Sequence, residues 1–278
     1  MKNLNDTSDL IVIDELKLSY RFYKGDTKDT LVTFHGFGQT SIVFESFIPS
    51  VLPYYSVVAI DLFFHGESTI EDNEVNYISI ERWNTIFEQI LIKHQISCFS
   101  LLSYSMGSRF IVTLLNVYAP RISKIALIAP DGFGNNFWFN VSTSTQLTRF
   151  IFRYSMQHPL CIQIVVRMLG AVGIYNSITK RFIERNLESA KNRMKIYTSW
   201  VYFRKLTIRK DDFVELILNN EINFICFCGK EDQLVAKKKM ELICNKTNAC
   251  YIELNLAHHK MIQVLGKEKL VDFLISDW

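Results

Sequence analysis

Two hydrophobic periodicities alternate along this chain of 278 residues. Short, apolar, β-branched runs are typical of strands buried on both faces of a sheet, and they occur at 31–34, 56–60, 99–102, 124–129, 224–228 and 249–254. Between them, apolar positions follow the helical period over 42–52, 79–95, 107–118, 235–246 and 266–276. Strands that alternate with helices in this way predict an α/β fold built on a mostly parallel sheet with helices on both faces.

Two segments depart from this alternation of strands and helices, one near the amino terminus and one in the middle of the chain. Residues 11–13 and 17–23 are separated by a short Asp-Glu turn, which favours an antiparallel pair at the edge of the sheet and makes eight strands in all. Between about 131 and 220, helical patterns such as 149–156 and 161–169 follow one another without a convincing strand. We therefore predict a core of residues 1–130 and 221–278, with a helical cap inserted at 131–220.

The predicted cap carries a large apolar surface, which we expect to pack on the main domain or to cover something. The side chains that form it are Phe150, Ile151, Phe152, Leu160, Ile162, Val165, Val166, Met168 and Leu169. Because no Gly/Ser/Pro-rich linker flanks this segment, we expect it to be fixed to the core.

Composition limits the class of protein. With 49% apolar residues, the chain can form one large core. The polar amino terminus lacks the apolar stretch of a secretory signal, and no run is long enough to cross a bilayer, so we expect a cytoplasmic protein. The six cysteines fall mostly in apolar segments, which favours reduced core thiols for Cys98, Cys226 and Cys228 and no metal site. No cofactor is implied.

Charge is distributed unevenly along the chain. Residues 141–220 hold 13 Lys or Arg and 5 Asp or Glu, a net charge of +8 within a chain whose net charge is +3. A solvated helical face explains this excess, and an anionic partner is the alternative. The basic, apolar helices near 149–169 also fit contact with a membrane surface. No recognition motif for nucleic acid is present, so we expect none to bind.

The strongest chemical signal is the segment Ser103-Tyr104-Ser105-Met106-Gly107, which lies between a predicted strand and a predicted helix. A serine on a tight strand-to-helix turn projects its hydroxyl group from the edge of the sheet, provided that small residues lie two positions before and after it. Gly107 meets this requirement, and Ser103 is the next smallest polar choice. The segment therefore predicts a nucleophile elbow around Ser105.

Three further signatures accompany the elbow, in the order found in the α/β-hydrolase family, which this chain resembles. A His-Gly turn at 35–38 follows the first buried strand, and the segment 61–68 resembles the family's Asp-x-x-x-His-Gly-x-Ser loop, with Phe63-Phe64 where Pro-Gly is frequent. Gly229-Lys230-Glu231-Asp232 and Ala257-His258-His259 each follow a later strand. The resemblance covers 31–130 and 224–275 well and the inserted segment hardly at all.

This resemblance implies a Ser-Asp-His triad in the family's chain order. Ser105 is the expected nucleophile, His258 the base that takes its proton, and Asp232 the carboxylate that orients the imidazole. By analogy, the backbone N–H groups of Phe37 and Met106 form the oxyanion hole.

Alternatives remain open for two members of the triad. Asp131, which follows the strand after the elbow, and Glu231 are alternatives to Asp232, and His259 is an alternative to His258. We expect His35 and His65 to bond to backbone groups in their turns and to play a structural role.

The predicted activity is serine hydrolysis of a carboxylic ester through an acyl-enzyme. The composition of the cap favours a hydrophobic substrate that carries a negative charge. The same triad also serves C–C bond hydrolysis and acyl transfer, and a ligand-binding protein without catalysis is an alternative from another class. The sequence does not indicate an oligomeric state.

Overall fold

The structure is a computed structural model, and it describes residues 6–71, 77–133, 137–171 and 177–276. Within these residues one sheet of nine strands organises the chain. The strands are β1 (Asp6–Ile13), β2 (Leu16–Tyr23), β3 (Thr30–Phe34), β4 (Ser56–Ile60), β5 (Thr69–Ile70), β6 (Phe99–Tyr104), β7 (Ile122–Ile128), β8 (Asn223–Gly229) and β9 (Cys250–Leu254).

The sheet has the order β1-β2-β4-β3-β6-β7-β8-β9, and the two-residue β5 pairs with β2. Strands β3, β4, β6, β7, β8 and β9 pair in parallel, whereas β1 and β2 form the expected antiparallel pair at one edge. Every residue of β3, β4 and β6 is buried, as the continuous apolar runs predict. The carboxyl ends of the parallel strands therefore meet along one edge of the sheet.

The α-helices are α1 (Ile48–Val51), α2 (Ile80–Lys93), α3 (Ser108–Tyr118), α4 (Phe137–Thr143), α5 (Gln146–Gln157), α6 (Pro159–Ala171), α7 (Ser177–Leu187), α8 (Ala190–Tyr202), α9 (Lys210–Asn219), α10 (Lys237–Lys246) and α11 (Glu268–Ile275). Helix α1 contacts α11, whereas α2, α3, α9 and α10 contact one another in series, so two groups of helices cover the sheet. None of the helices in the described residues combines the length and the apolar character that crossing a bilayer requires.

One predicted helix is divided in the structure. The apolar period over 42–52 is met by a 3-10 turn at Ser41–Phe44 and then by the short helix α1. Pro49 lies in the first turn of α1, where it needs no N–H partner, and its ring would clash with the preceding turn of a continuous helix. The expectation of a single helix here is wrong because periodicity does not register this clash.

The segment between β7 and β8 carries α4 to α9. Both ends of α4–α8, which we call the inserted helices, lie close together, because Thr207 Oγ1 donates a hydrogen bond to the carbonyl oxygen of Gly132 over 2.7 Å. Within the inserted helices, Phe152, Met156 and Val201 form a small core separate from the large one. The buried Arg193 supports this core by donating to the carbonyl oxygen of Met156 over 2.8 Å.

The structure corrects two expectations about burial. Of the apolar residues expected to pack or to be covered, Phe152 and Val166 are buried, but Phe150, Ile151, Leu160 and Met168 are exposed. Cys226 and Cys228 are core residues, whereas Cys98 is exposed just before β6 begins. In both cases the sequence shows that a segment is apolar but not which positions face solvent.

Candidate active site

Ser105 lies in the turn that joins β6 to α3, at the carboxyl end of a central strand. Its φ of 50° is in the left-handed region, which a non-glycine residue adopts only when its surroundings enforce it. Gly107 is required by close approach, because a Cβ atom there would lie 2.4 Å from the carbonyl oxygen of Phe34. Ser103 is fully buried and its Oγ lies 2.8 Å from Ser108 Oγ, so its hydroxyl group is satisfied in the position where the family usually has glycine.

A chain of two hydrogen bonds extends from Ser105. Its Oγ lies 2.9 Å from His258 Nε2, and His258 Nδ1 lies 2.6 Å from Asp232 Oδ2. With Nδ1–H donating to the carboxylate, Nε2 of a neutral imidazole is free of a proton and accepts from the serine hydroxyl group. The other carboxylate oxygen, Oδ1, accepts from the N–H of Leu234 over 2.8 Å, and this contact fixes the buried Asp232 side chain.

The structure separates the two adjacent histidines. His258 begins a 3-10 helix, His258–Gly266, and its ring is directed towards Ser105. Tyr104, the neighbour of Ser105, holds this backbone by donating from its hydroxyl group to the carbonyl oxygen of His258 over 2.8 Å. His259 is mostly exposed, and the partial loss of water around its ring, together with the charge of Lys260, lowers its pKa.

The alternative carboxylates make other contacts. Asp131 accepts two hydrogen bonds from Arg109, from Nε over 2.7 Å and from Nη2 over 3.0 Å. Burial opposes its negative charge, but the Arg109 guanidinium prevails and holds the pKa of Asp131 below its usual value. Glu231 is exposed. Asp131 is near enough for the charge of His258 to contribute to its lowered pKa, but of the three carboxylates considered Asp232 is the one that forms a hydrogen bond with His258.

The His-Gly turn lies beside the elbow, and its backbone N–H groups differ in whether they have a hydrogen-bond acceptor within the protein. The N–H of Gly36 donates to Gln39 Oε1 over 3.0 Å, that of Gly38 to His65 Nε2 over 3.0 Å, and that of Gln39 to the carbonyl oxygen of Gly36 over 3.3 Å. Within the described part of the chain, the N–H of Phe37 has no such acceptor, and Met106 follows Ser105 in the 3-10 turn Ser105–Gly107 that leads into α3. These are the two donors that the sequence assigns to an oxyanion.

His35 and His65 hold the two turns together. His35 Nδ1 lies 2.8 Å from the carbonyl oxygen of Gly36, and its Nε2 accepts the N–H of Leu62 over 2.9 Å. His65 repeats the arrangement, with Nδ1 3.0 Å from the carbonyl oxygen of Phe63 and Nε2 facing Gly38. Burial, the largest cause, lowers the pKa of His35 to about 4 and that of His65 to about 3. Both rings are therefore neutral structural elements at neutral pH.

Most of this chain, including the candidate site, matches one known protein family. The profile of the family described as alpha/beta hydrolase fold matches residues 29–263, a span that includes both turns, Ser105, Asp232 and His258. This chain belongs to the α/β-hydrolase fold family.

Individual relatives of this α/β-hydrolase are distant. The uncharacterized hydrolase YugF of Bacillus subtilis (strain 168) is 25% identical over 121 residues, which is 44% of this chain and 44% of that protein. The chain thus matches less than half of the length of this relative. Among solved structures, the enol-lactonase from Burkholderia xenovorans LB400 has a TM-score of 0.66 and 15% identity, with 96% of this chain and 100% of that chain covered. A thermophilic esterase from Thermogutta terrifontis has a TM-score of 0.65 and 14% identity, with 96% of each chain covered.

One departure of this α/β-hydrolase from the family pattern has a structural explanation. Phe64, where glycine is frequent, has a φ of 66°, a conformation that glycine adopts without steric cost. The ring of Phe64 packs against Tyr202 and Phe203, with centroid distances of 5.1 and 5.9 Å, and these contacts offset the backbone strain. The side chain therefore links the loop after β4 to the end of α8.

Sequence reasoning missed two residues that support the site. The elbow pattern contains Tyr104 but does not indicate its contact with His258, although its position next to Ser105 is a sign that it supports the facing loop. Arg109 is buried in α3, and its guanidinium lies 4.0 Å from the centroid of the Phe139 ring while it binds Asp131. A basic residue in an apolar helix is a sign of such a partner, but the sequence does not indicate which carboxylate it binds.

Proposed function

We propose that this α/β-hydrolase is a serine hydrolase that cleaves carboxylic esters through an acyl-enzyme. The observation that carries the proposal is the continuous chain from Ser105 Oγ to His258 Nε2 over 2.9 Å and from His258 Nδ1 to Asp232 over 2.6 Å. These contacts join a nucleophile, a base and a group that orients the base, each within hydrogen-bond reach of the next.

In the first half of the proposed reaction, Ser105 Oγ attacks the ester carbonyl carbon while its proton passes to His258 Nε2. The tetrahedral oxygen carries the negative charge, and the N–H groups of Phe37 and Met106 are the donors we assign to it. As this intermediate collapses, the bond to the alcohol breaks and the alcohol oxygen takes the proton from His258. Asp232 stabilises the imidazolium that exists between these two transfers.

The second half returns the enzyme to its starting state. Water attacks the acyl carbon and gives a proton to His258 Nε2. The acyl bond to Ser105 then breaks, Oγ recovers that proton, and the carboxylic acid leaves. No redox step or added reactant is needed.

The decisive experiment is labelling by a fluorophosphonate, together with hydrolysis of p-nitrophenyl esters of increasing chain length. We expect wild type to be labelled and to turn over at least one ester, Ser105→Ala to lose labelling, and His258→Ala to lose turnover by about 10⁴-fold. His259→Ala is the matched control and should retain activity. Labelling of Ser105→Ala at the wild-type level, or a well-folded wild type that is never labelled, would refute the proposal.

We also propose that the preferred ester is hydrophobic and carries a negative charge. Lys195 on α8 supports the proposal that the ester carries a negative charge. It is half-buried, burial lowers its pKa, and its charge contributes to the lowered pKa of both His35 and His65, so it acts on the turn that contains Phe37. The charge of Asp61 opposes this lowering, but among the described residues Asp61 and Lys195 form no salt bridge. The apolar composition of the inserted helices supports a hydrophobic acyl part.

Substrate charge can be tested separately from the reaction. For esters of matched length, we expect wild type to favour the monoanionic ester over the neutral one in kcat/KM and Lys195→Met to lose this preference by about tenfold. Lys191→Met, which alters an exposed lysine of the same helix, is the control. A wild-type preference for neutral esters, with the fluorophosphonate result intact, would reject the anionic substrate while leaving the serine hydrolase in place.

A further inference from the structure

Helices α5 and α6 present an apolar surface to solvent that the proposed reaction does not use. In α5, Leu147, Phe150, Ile151 and Tyr154 are between 50% and 67% exposed. Their spacing of three, four and seven residues places them in one stripe along the helix. The opposite side of α5 contributes Phe152 and Met156 to the small core, so the exposed stripe is the second apolar face of a helix that is already packed.

Helix α6 carries a second exposed apolar stripe. Leu160, Ile164 and Met168 are 73%, 56% and 65% exposed, and they recur at every fourth residue. Helices α5 and α6 contact each other and are joined through His158, so the two stripes belong to one helical hairpin. We call these seven side chains the α5–α6 face. Monomeric soluble proteins rarely expose so many large apolar groups together, and patches of this kind mark interaction sites.

The charges around the α5–α6 face indicate what it contacts. From Gln146 to Ala171 the sequence has no Asp or Glu, whereas Arg153 and Arg167 are exposed. An apolar helical face bordered by arginine is complementary to a bilayer with anionic headgroups, where the apolar side chains enter the acyl boundary and the guanidinium groups bind phosphate or carboxylate. A second copy of the chain would bring the same arginines together across a two-fold axis, and this repulsion disfavours self-association.

We propose that the α5–α6 face docks this protein on anionic lipid bilayers, with the apolar stripes inserted at the headgroup boundary. The proposal is independent of the ester chemistry, because it rests on residues outside the candidate active site. Ser105→Ala should bind vesicles as wild type does, so that a failure of one proposal is distinguishable from a failure of the other.

The test is co-sedimentation of the full chain with vesicles of phosphatidylcholine alone and of phosphatidylcholine with one third phosphatidylserine, at low and at high salt. We expect binding to the mixed vesicles that salt weakens but does not abolish. Phe150→Ser combined with Leu160→Ser should weaken it by at least about tenfold. Ile92→Ser is the control, because Ile92 is 60% exposed on α2. Thermal melting checks that each variant is folded.

The arginines are tested separately. Arg153→Gln with Arg167→Gln should reduce binding to the anionic vesicles by about tenfold or more and remove the preference over phosphatidylcholine. The proposal is overturned if wild type does not bind the mixed vesicles at low salt, if it binds both compositions equally, or if the serine variants bind as tightly as wild type. Self-association of wild type without lipid, lost in the serine variants, would also overturn it and assign the face to a second copy.

Discussion

The sheet and the inserted helices bury their apolar residues to very different extents. In the sheet, β3, β4 and β6 have no exposed position, and their side chains belong to one large core that continues into α2 and α3. The inserted helices enclose a small core around Phe152, Met156 and Val201 and leave the α5–α6 face in solvent. Similar apolar patterns therefore have different outcomes, because those of the sheet pack within this chain whereas the α5–α6 face is left in solvent.

The candidate active site belongs to the first of these regions. Ser105, Asp232 and His258 all follow strands of the sheet, and their positions depend on how closely its turns pack. Four measurements test the contrast between the two regions.

The largest effect should come from the two carboxylates at the end of the sheet. Asp232→Asn should lower kcat for an ester by about 10⁴-fold, because an amide no longer holds the imidazole in the required tautomer. Asp131→Asn should instead act on stability, lowering the free energy of unfolding by about 2 kcal/mol because Arg109 loses its anionic partner. Kinetics and urea unfolding of both variants check this. If Asp131→Asn were the one to lose activity with its stability unchanged, the roles would be reversed.

Position 107 in the elbow should not tolerate a side chain larger than that of glycine. Gly107→Ala places Cβ 2.4 Å from the carbonyl oxygen of Phe34, and we expect a loss of about 3 kcal/mol in the free energy of unfolding, with displacement of Ser105. Gly266→Ala is a suitable control, since nothing lies within 4 Å of the atom it adds. Equal stability of the two variants, measured by chemical unfolding, would contradict the close packing described for this turn.

Two phenylalanines that are two positions apart should distinguish the two faces of α5. Phe152→Ala empties part of the small core and should cost about 3 kcal/mol, whereas Phe150 is 67% exposed and Phe150→Ala should change stability by no more than about 0.5 kcal/mol. Thermal and urea unfolding provide the comparison. A large loss in Phe150→Ala would mean that this side chain is covered in the folded protein in solution.

Acid should lower the free energy of unfolding through His35 and His65, the two buried histidines in the turns that follow β3 and β4. His35 and His65 have pKa values near 4 and 3 when folded, against 6.5 for an ordinary histidine, so the unfolded chain binds more protons between these values. Their stabilisation is complete above pH 6.5 and is lost as pH falls towards 4, at up to about 1.4 kcal/mol per pH unit for each histidine. Urea unfolding as a function of pH measures the slope. His65→Asn should reduce it, and a slope unaffected by that variant would contradict the assignment.

Much of the sheet could be predicted because its strands are buried on both faces, which makes each one a continuous apolar run between polar turns. The same turns carry the site residues, so locating the strands located the candidates. The predicted helix over 42–52 failed at Pro49, where a local steric effect overrides periodicity. The choice between His258 and His259 depends on the direction in which a 3-10 helix begins, and the backbone of this loop contacts Tyr104, which is 154 residues away in the chain.

The exposed face of the inserted helices could not be predicted, for a different reason. Periodicity identifies both apolar sides of α5 without distinguishing the side that packs on α8 from the side that faces solvent. The partner of Asp131 could not be predicted from the sequence either. Arg109 is 22 residues away in the chain and contacts Asp131 only once α3 lies beside the end of β7.

The hydrogen bond from Thr207 to Gly132 brings the departing and returning chain together at the base of the inserted helices. For a segment whose ends are already joined, the entropy of closing the loop rises only with the logarithm of its length, by about 0.6 kcal/mol for each doubling. The inserted segment can therefore be lengthened, shortened or exchanged with little penalty to the sheet. If our two proposals hold, the residues that select the substrate and those that attach the protein to a surface can change within this segment while the reactive groups keep their positions on the sheet.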